Sequence, residues 1–333
     1  MHLSSGLLTR LGADEVGKLW KKCRARRVTR SVIDDKETND KAHLLMGGIN
    51  VKQSEAPFSV HLQHSKNGNE ASCSGTMISD RHVLTAAHCF IQKDCARRTV
   101  TQISNSRSWK VYYGGGCLPF SKGACSDFQQ MARSTNIRNI AIPTDYLTGP
   151  CLHNDVAVFL KCSTEKIVAF PAPLDEVACV AQPNDIIPNN FTLYSRGSNP
   201  RQMKRVTSLA TINVTRIECL PDEPIRSGKD DQLCTSELQE MNMCSGDSGC
   251  GLMFKTENGQ WNIAGVASAG TDCRIIDMAI SPENGTKKEM NEISLDGSIF
   301  IDTRLHNQFI CQYTGLCFGT QYGDQPKIKA ILL

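Results

Sequence analysis

An all-β fold, a barrel or sandwich of short strands followed by one late helix, is what the sequence predicts for most of this chain. Two observations carry the prediction. From Met46 onward, apolar and β-branched residues gather in runs of strand length separated by turn-forming residues, and helical periodicity stays weak until about Asp302. The 333 residues also contain sixteen cysteines, which points to disulfides and an oxidising compartment. Many short strands of this kind close into barrels or pack as sandwiches.

Taken in order, residues 1–44 read as a leader. Leu8, Leu11, Val16, Leu19 and Trp20 recur at helical spacing and are followed by the basic run KKCRARR and the charged stretch DDKETNDK. The strand-like runs are then FSVHLQ, HVLTAA, WKVYY, DVAVFLK, FTLYS, VTSLATINV, GLMF, WNIAGVAS and SIFI. Residues 92–130 and 274–296 read as insertions in this body, and the tail over 318–333 shows no clear pattern.

Composition removes several classes. Hydrophobic residues make up 40% and charged residues 21%, which excludes a disordered chain, and no apolar run approaches the roughly 18 residues a spanning helix needs. The net charge of +3 is too weak to imply nucleic acid, and it comes from the basic leader over a mildly acidic body. Zinc is disfavoured because there is no Cys-x-x-Cys and no His-Glu-x-x-His. His61 and His64 differ in strand parity and make a poor metal pair. Sequons at Asn190, Asn213 and Asn284 support a secreted glycoprotein. The first residues, MHLSSGLLTRLGADEVGK, lack the apolar stretch of a signal peptide, so a signal segment is expected to be missing from this chain.

Three short motifs carry the chemistry: Leu84-Thr-Ala-Ala-His88-Cys89, Asn154-Asp155-Val-Ala-Val158 and Cys244-Ser-Gly-Asp-Ser248-Gly249. Singly, each has a structural explanation, as a core histidine, a strand-capping aspartate and a glycine loop. A serine hydroxyl is a weak nucleophile at neutral pH and needs an imidazole to take its proton, which in turn needs a carboxylate to fix its tautomer.

In the order His, Asp, Ser, these motifs resemble the chymotrypsin family of serine proteases. The leader and the ending Phe309-Ile-Cys-Gln-Tyr-Thr-Gly-Leu-Cys317 look most like the divergent trypsin-like proteases of nematodes. The resemblance implies two six-stranded antiparallel β-barrels with a C-terminal helix over Asp302–Tyr313, in a protease domain spanning 45–317. It makes His88, Asp155 and Ser248 the catalytic residues, with the N–H groups of Gly246 and Ser248 as the oxyanion hole. It pairs Cys73 with Cys89, Cys219 with Cys234 and Cys244 with Cys273, and a Cys23–Cys179 bridge would tether the leader. Cys95, Cys117, Cys125, Cys151, Cys162, Cys250, Cys311 and Cys317 stay without assigned partners. Ser268, Ala269 and Gly270 fall on the strand that pairs with substrate.

Departures from the family pattern set the remaining expectations. Leu45 would be the new N-terminus whose ammonium pairs with Asp247, but no basic residue precedes Leu45, and Arg24-Ala-Arg-Arg27 offers a furin-type site further upstream. At the pocket base stands Asn242 rather than the Asp of trypsin, beside Met243, so a neutral side chain of medium size is expected rather than Lys or Arg. Ala269 removes an aromatic wall, and Cys250 replaces a glycine. The implied partners are protein or peptide substrates, an activating protease and protein inhibitors, acting on a monomer without cofactor, metal, nucleic acid or membrane. The competing class is an inactive protease homologue serving as a secreted binding or regulatory protein.

Overall fold

The computed structural model describes residues 9–24, 45–66, 69–119, 132–161, 176–200, 208–219, 231–238, 241–280, 297–317 and 326–333. The chain opens with helix α1 (Ala13–Arg24) and the short β1 (Ile49–Asn50). Then come β2 (Ser59–Lys66), β3 (Asn69–Met77), β4 (His82–Thr85), β5 (Ile91–Asp94), β6 (Thr99–Ile103), β7 (Trp109–Tyr113), β8 (Arg133–Pro143), α2 (Thr144–Thr148) and β9 (Ala157–Lys161). The second half supplies β10 (Cys179–Val180), β11 (Asn190–Ser195), β12 (Ala210–Ile217), β13 (Gln232–Thr235), β14 (Gly251–Lys255), β15 (Trp261–Ala269) and α3 (Cys273–Ile280). It ends with β16 (Ser298–Asp302), α4 (Asn307–Thr314) and β17 (Ala330–Leu332). No described helix is long and apolar enough to cross a membrane.

The strands form two closed six-stranded antiparallel barrels, the expected architecture. The first runs β7-β2-β3-β4-β9-β8 and closes because β8 pairs with both β7 and β9. The second runs β11-β14-β15-β16-β13-β12 and closes through β12–β13. Closure leaves none of the twelve strands as an open edge. Strand patterning follows burial: along β12, Ala210, Ile212 and Val214 point inward while Asn213 and Thr215 face out, whereas every residue of β4 and of β16 is buried. Phe90 anchors the first core, edge-on to Trp109 at 5.1 Å and to Phe159 at 6.2 Å. Phe191 meets Phe254 in the same way at 6.2 Å in the second.

Between the barrels, Phe58 packs edge-on against Tyr194 and Trp261 at 5.9 and 6.0 Å. Beside them Arg196 is buried at 1% exposure, with its guanidinium on Gln53 Oε1 (2.8 Å), the Gly115 carbonyl (2.7 Å) and the Ser59 backbone and hydroxyl. No carboxylate pairs with it among the described residues, and burial lowers its pKa to about 9.

Three local expectations are corrected. The closing helix starts at Asn307, because Ser298–Asp302 is spent on β16. β7 lies inside the supposed insertion 92–130 yet is a barrel strand paired with β2 and β8; what leaves the barrel is the β5–β6 ribbon. The featureless tail adds β17 to β8 beyond the stretch that pairs with β7, with Ile331 opposite Ile142 and reciprocal Leu333–Ile140 backbone bonds at 3.0 Å. Residues 120–131 and 281–296 lie outside the described residues.

Six disulfides occur among the described residues: Cys23–Cys179, Cys73–Cys89, Cys95–Cys151, Cys219–Cys234, Cys244–Cys273 and Cys311–Cys317. The third and sixth concern cysteines that the sequence left unassigned. Cys117 is also disulfide-bonded, and Cys250 is a buried free thiol.

Helix α1 is built into this body. Asp14 and Glu15 in its first turn and Lys21, Lys22 and Arg24 in its last complement the helix dipole. Leu11 and Leu19 are buried against the first barrel's core, Leu11 N–H donates to the Thr314 carbonyl at 2.8 Å, Glu15 pairs with Arg81, and Lys22 Nζ reaches the Val177 carbonyl at 2.5 Å. Leu19→Ala should therefore lower unfolding stability by about 3 kcal/mol in a urea titration; a loss below about 0.5 kcal/mol would show that the helix is only loosely applied.

Candidate active site

Chain direction and one disulfide place His88. After β4 the backbone makes a tight turn over Ala87–Cys89 whose flanking side chains are buried, which leaves the His88 ring about one-third exposed. Cys73–Cys89 ties this turn to β3. Asp155, immediately before β9, is buried at 2% exposure. Its Oδ1 accepts the His88 backbone N–H at 2.8 Å and its Oδ2 accepts His88 Nδ1 at 2.7 Å. Since a carboxylate only accepts, Nδ1 carries the proton and Nε2 is left as a base. Ser268 Oγ, from β15 of the other barrel, donates to Asp155 Oδ2 at 2.5 Å.

Charge reinforces the geometry. Burial acts to lower the His88 pKa, but the Asp155 charge and hydrogen bond outweigh it and raise it above the ordinary imidazole value. Burial acts to raise the Asp155 pKa, and the charge and hydrogen bonds of His88, with the Ser268 hydroxyl, bring it below the usual carboxylate value.

The Ser248 loop is pinned to both barrels through its backbone. The Ser248 carbonyl accepts Ser74 N–H of β3 at 2.7 Å, and Gly249 N–H donates to the Ala267 carbonyl of β15 at 2.8 Å. Two positions require glycine. Gly246 has φ +97°, and a side chain there would press on Ser72 Oγ at 2.9 Å; Gly249 has φ +84°, and its Cβ would lie 2.2 Å from Thr85 Oγ1 and 2.4 Å from the Ser74 carbonyl. Such close approach draws Ser248 against β3 and the chain that leads to His88. Ser74 Oγ bonds to the Gly246 carbonyl at 2.9 Å and to Ser195 Oγ at 2.8 Å.

Ser248 opens onto a cleft of about 670 Å³ whose wall includes Met243, Ser268, Ala269, Gly270 and Cys273. Cys244–Cys273 joins its two sides. Asn242 is not in that wall, contrary to the expectation of a pocket base. It is 2% exposed, and its amide closes onto the backbone of Leu238, with Oδ1 accepting Leu238 N–H at 2.9 Å and Nδ2 donating to the Leu238 carbonyl. A short amide beside two free backbone groups satisfies them rather than facing a cavity. Glu237 buttresses the wall from behind, accepting Thr271 N–H at 2.7 Å and Thr271 Oγ1 at 2.6 Å.

Leu45 is completely buried, in the same cluster as Met243 and Cys250, and Met46 bridges to Asn242. Asp247 is fully buried. It accepts Gly197 N–H at 2.7 Å and Cys244 N–H at 2.8 Å, and no cation pairs with it among the described residues. Burial, only partly offset by its bonds to Ser195, Cys244 and Gly197, raises its pKa to about 7. The folded state therefore holds a proton that the unfolded state loses near pH 4, and stability falls as pH rises through about 7. Urea unfolding of the uncleaved chain should show a decline of up to about 4 kcal/mol from pH 4 to pH 8 attributable to this group. Asp247→Asn should flatten it.

Among the described residues, Cys73, His88 and Cys89 bring metal-ligand atoms within 4.8 Å of one another, but both sulfurs are committed to a disulfide. Asn190 and Asn213 are exposed on the β11–β12 face, where Thr215 Oγ1 donates to Asn190 Oδ1 at 3.3 Å and Thr192 Oγ1 to Asn213 Oδ1 at 3.0 Å. Asn284 lies outside the described residues. The sequence reading missed Ser268 as a donor to Asp155, along with Ser74, Ser195 and Glu237. Their partners are distant in sequence, and no local pattern marks them.

Two closed antiparallel barrels, a histidine hydrogen-bonded to a buried aspartate and a glycine-flanked serine loop define the trypsin class of serine protease folds. The chain belongs to that family: the Trypsin family model matches residues 45–281. Relatives include Trypsin-like protease try-5 of Caenorhabditis elegans, 27% identical over 78% of this chain and 83% of the relative. Transmembrane protease serine 11C of Mus musculus is 26% identical over 71% of this chain but only 49% of its own length. Chymotrypsin-C of Bos taurus is 23% identical over 68% of this chain and 78% of its own.

Proposed function

We propose that this chain is a serine endopeptidase that hydrolyses peptide bonds through an acyl-enzyme. The observation that carries the reading is the doubly bonded His88–Asp155 pair, with Nδ1 protonated and Nε2 free. Ser248 Oγ attacks the substrate carbonyl while His88 Nε2 takes its proton. The N–H groups of Gly246 and Ser248 stabilise the oxyanion, and the imidazolium, held by Asp155, returns the proton to the leaving amine. Water repeats the sequence on the ester and releases the acid. Cleavage before Leu45 supplies an ammonium to Asp247, whose buried carboxyl has no countercharge among the described residues. An activating protease makes that cut.

Met243 and Ala269 in the cleft wall favour a neutral side chain of medium size over Lys or Arg. The six disulfides among the described residues support a secreted protein, acting on proteins or peptides as a monomer. Profiling a peptide library with the processed protein tests the reading. Cleavage after neutral residues supports it, cleavage after Lys or Arg overturns the specificity, and no cleavage at all favours the inactive homologue. Because His88 must be neutral to act, kcat/KM should fall on the acid side with an apparent pKa above 6.5.

A further inference from the structure

The residues that immediately precede Asp155 are held in an unfavourable backbone. Leu152 and Asn154 both have left-handed conformations, at φ 64° and 53°, and a leucine in that region persists only where its surroundings impose it. Those surroundings come from the second barrel. Asp231, 8% exposed, stands at the entry to β13. Its Oδ1 accepts His153 Nδ1 at 2.6 Å, and its Oδ2 accepts Asn154 N–H at 2.7 Å and His306 Nε2, from the start of α4, at 3.1 Å. The adjoining Gln232 donates Nε2 to the Leu152 carbonyl at 2.9 Å. Each residue of the turn 152–154 is thus tied to 231–232.

The cluster is built around a carboxylate. Three N–H groups point at Asp231, and although burial raises its pKa, the His306 and Asn154 hydrogen bonds with the charges of His306 and His153 hold it below the usual value.

We propose that Asp231 is a positioning residue for catalysis: it holds the turn 152–154 in the conformation that presents the Asp155 carboxylate to His88. It touches neither His88 nor the substrate. With Ser268 bonding Asp155 directly, both anchors of the first barrel's catalytic acid come from the barrel that carries Ser248. The register of the three catalytic groups across the cleft is then set by 231 and 268 together.

This inference rests on the peptidase reading, so Ser248-dependent hydrolysis by the processed parent is measured first. Asp231→Ala should lower kcat about 10- to 100-fold with KM within about twofold, and Asp231→Asn, which keeps an acceptor for Asn154 N–H, should recover part of the loss. Leu19→Ala, a destabilising change in α1, should leave kcat unchanged. The His88 Nδ1–H proton resonance reads the same geometry without turnover: it should broaden or shift in Asp231→Ala and persist in Leu19→Ala. A parent without hydrolysis overturns the peptidase reading while the resonance still tests the positioning role. Unchanged kcat and an unchanged resonance in a folded Asp231→Ala would make Asp231 a simple inter-barrel staple and overturn the proposal, and Asp231→Asn gives the same test should the alanine variant fail to fold.

Discussion

Ser248→Ala is expected to lower kcat by about six orders of magnitude while the protein stays folded. The loop around Ser248 is held through backbone groups, by the Ser248 carbonyl on Ser74, Gly249 N–H on Ala267 and Cys250 N–H on the Asp247 carbonyl at 2.9 Å. No hydrogen bond uses its hydroxyl among the described residues. Deleting one oxygen therefore costs the fold little and removes the atom that, on the proposed mechanism, attacks the substrate. Steady-state rates on the best library substrate and a thermal melt measure the two halves of this statement. A variant that kept a tenth of the parent's kcat would place the nucleophile elsewhere.

Asp155→Asn should cost about 10⁴-fold in kcat. Its carboxylate accepts two N–H groups from His88 and the Ser268 hydroxyl, a donor set that an amide, half of which is itself a donor, cannot serve. The amide N–H facing His88 Nδ1 would draw the proton to Nε2, the nitrogen that on the proposed mechanism takes the Ser248 proton. The pH profile adds an independent check. Without the Asp155 charge, burial alone acts on His88 and lowers its pKa, so the acid limb of any residual activity should move to lower pH than in the parent. Equal acid limbs in parent and variant would contradict the electrostatic role.

Why His88 and Ser248 were visible in the sequence, while their supports were not, follows from the range of the constraints. His88 sits in a tight turn between buried Ala87 and Cys89, and Ser248 between two glycines with positive φ, so each leaves a contiguous signature. The strand runs were legible for the same reason, because alternation and turn residues are local. Barrel closure came only through the family resemblance, since β8 pairing with β9, or β12 with β13, is a long-range event. Ser268 and Asp231 act on the catalytic acid's segment from another barrel, through contacts that leave no pattern near either partner. Asn242 misled because its spacing from Ser248 fits a pocket base, whereas the Leu238 backbone captures its amide. β17 escaped notice because three residues of strand carry too little periodicity.

On the proposed mechanism Ser248 is a nucleophile activated by His88. A fluorophosphonate probe applied to the processed protein, followed by mass mapping of the adduct, tests it most directly. A single adduct on Ser248 is expected, lost in Ser248→Ala and formed more slowly as pH falls below the His88 pKa. A folded, processed protein that takes up no probe, or takes it up on another residue, would contradict it.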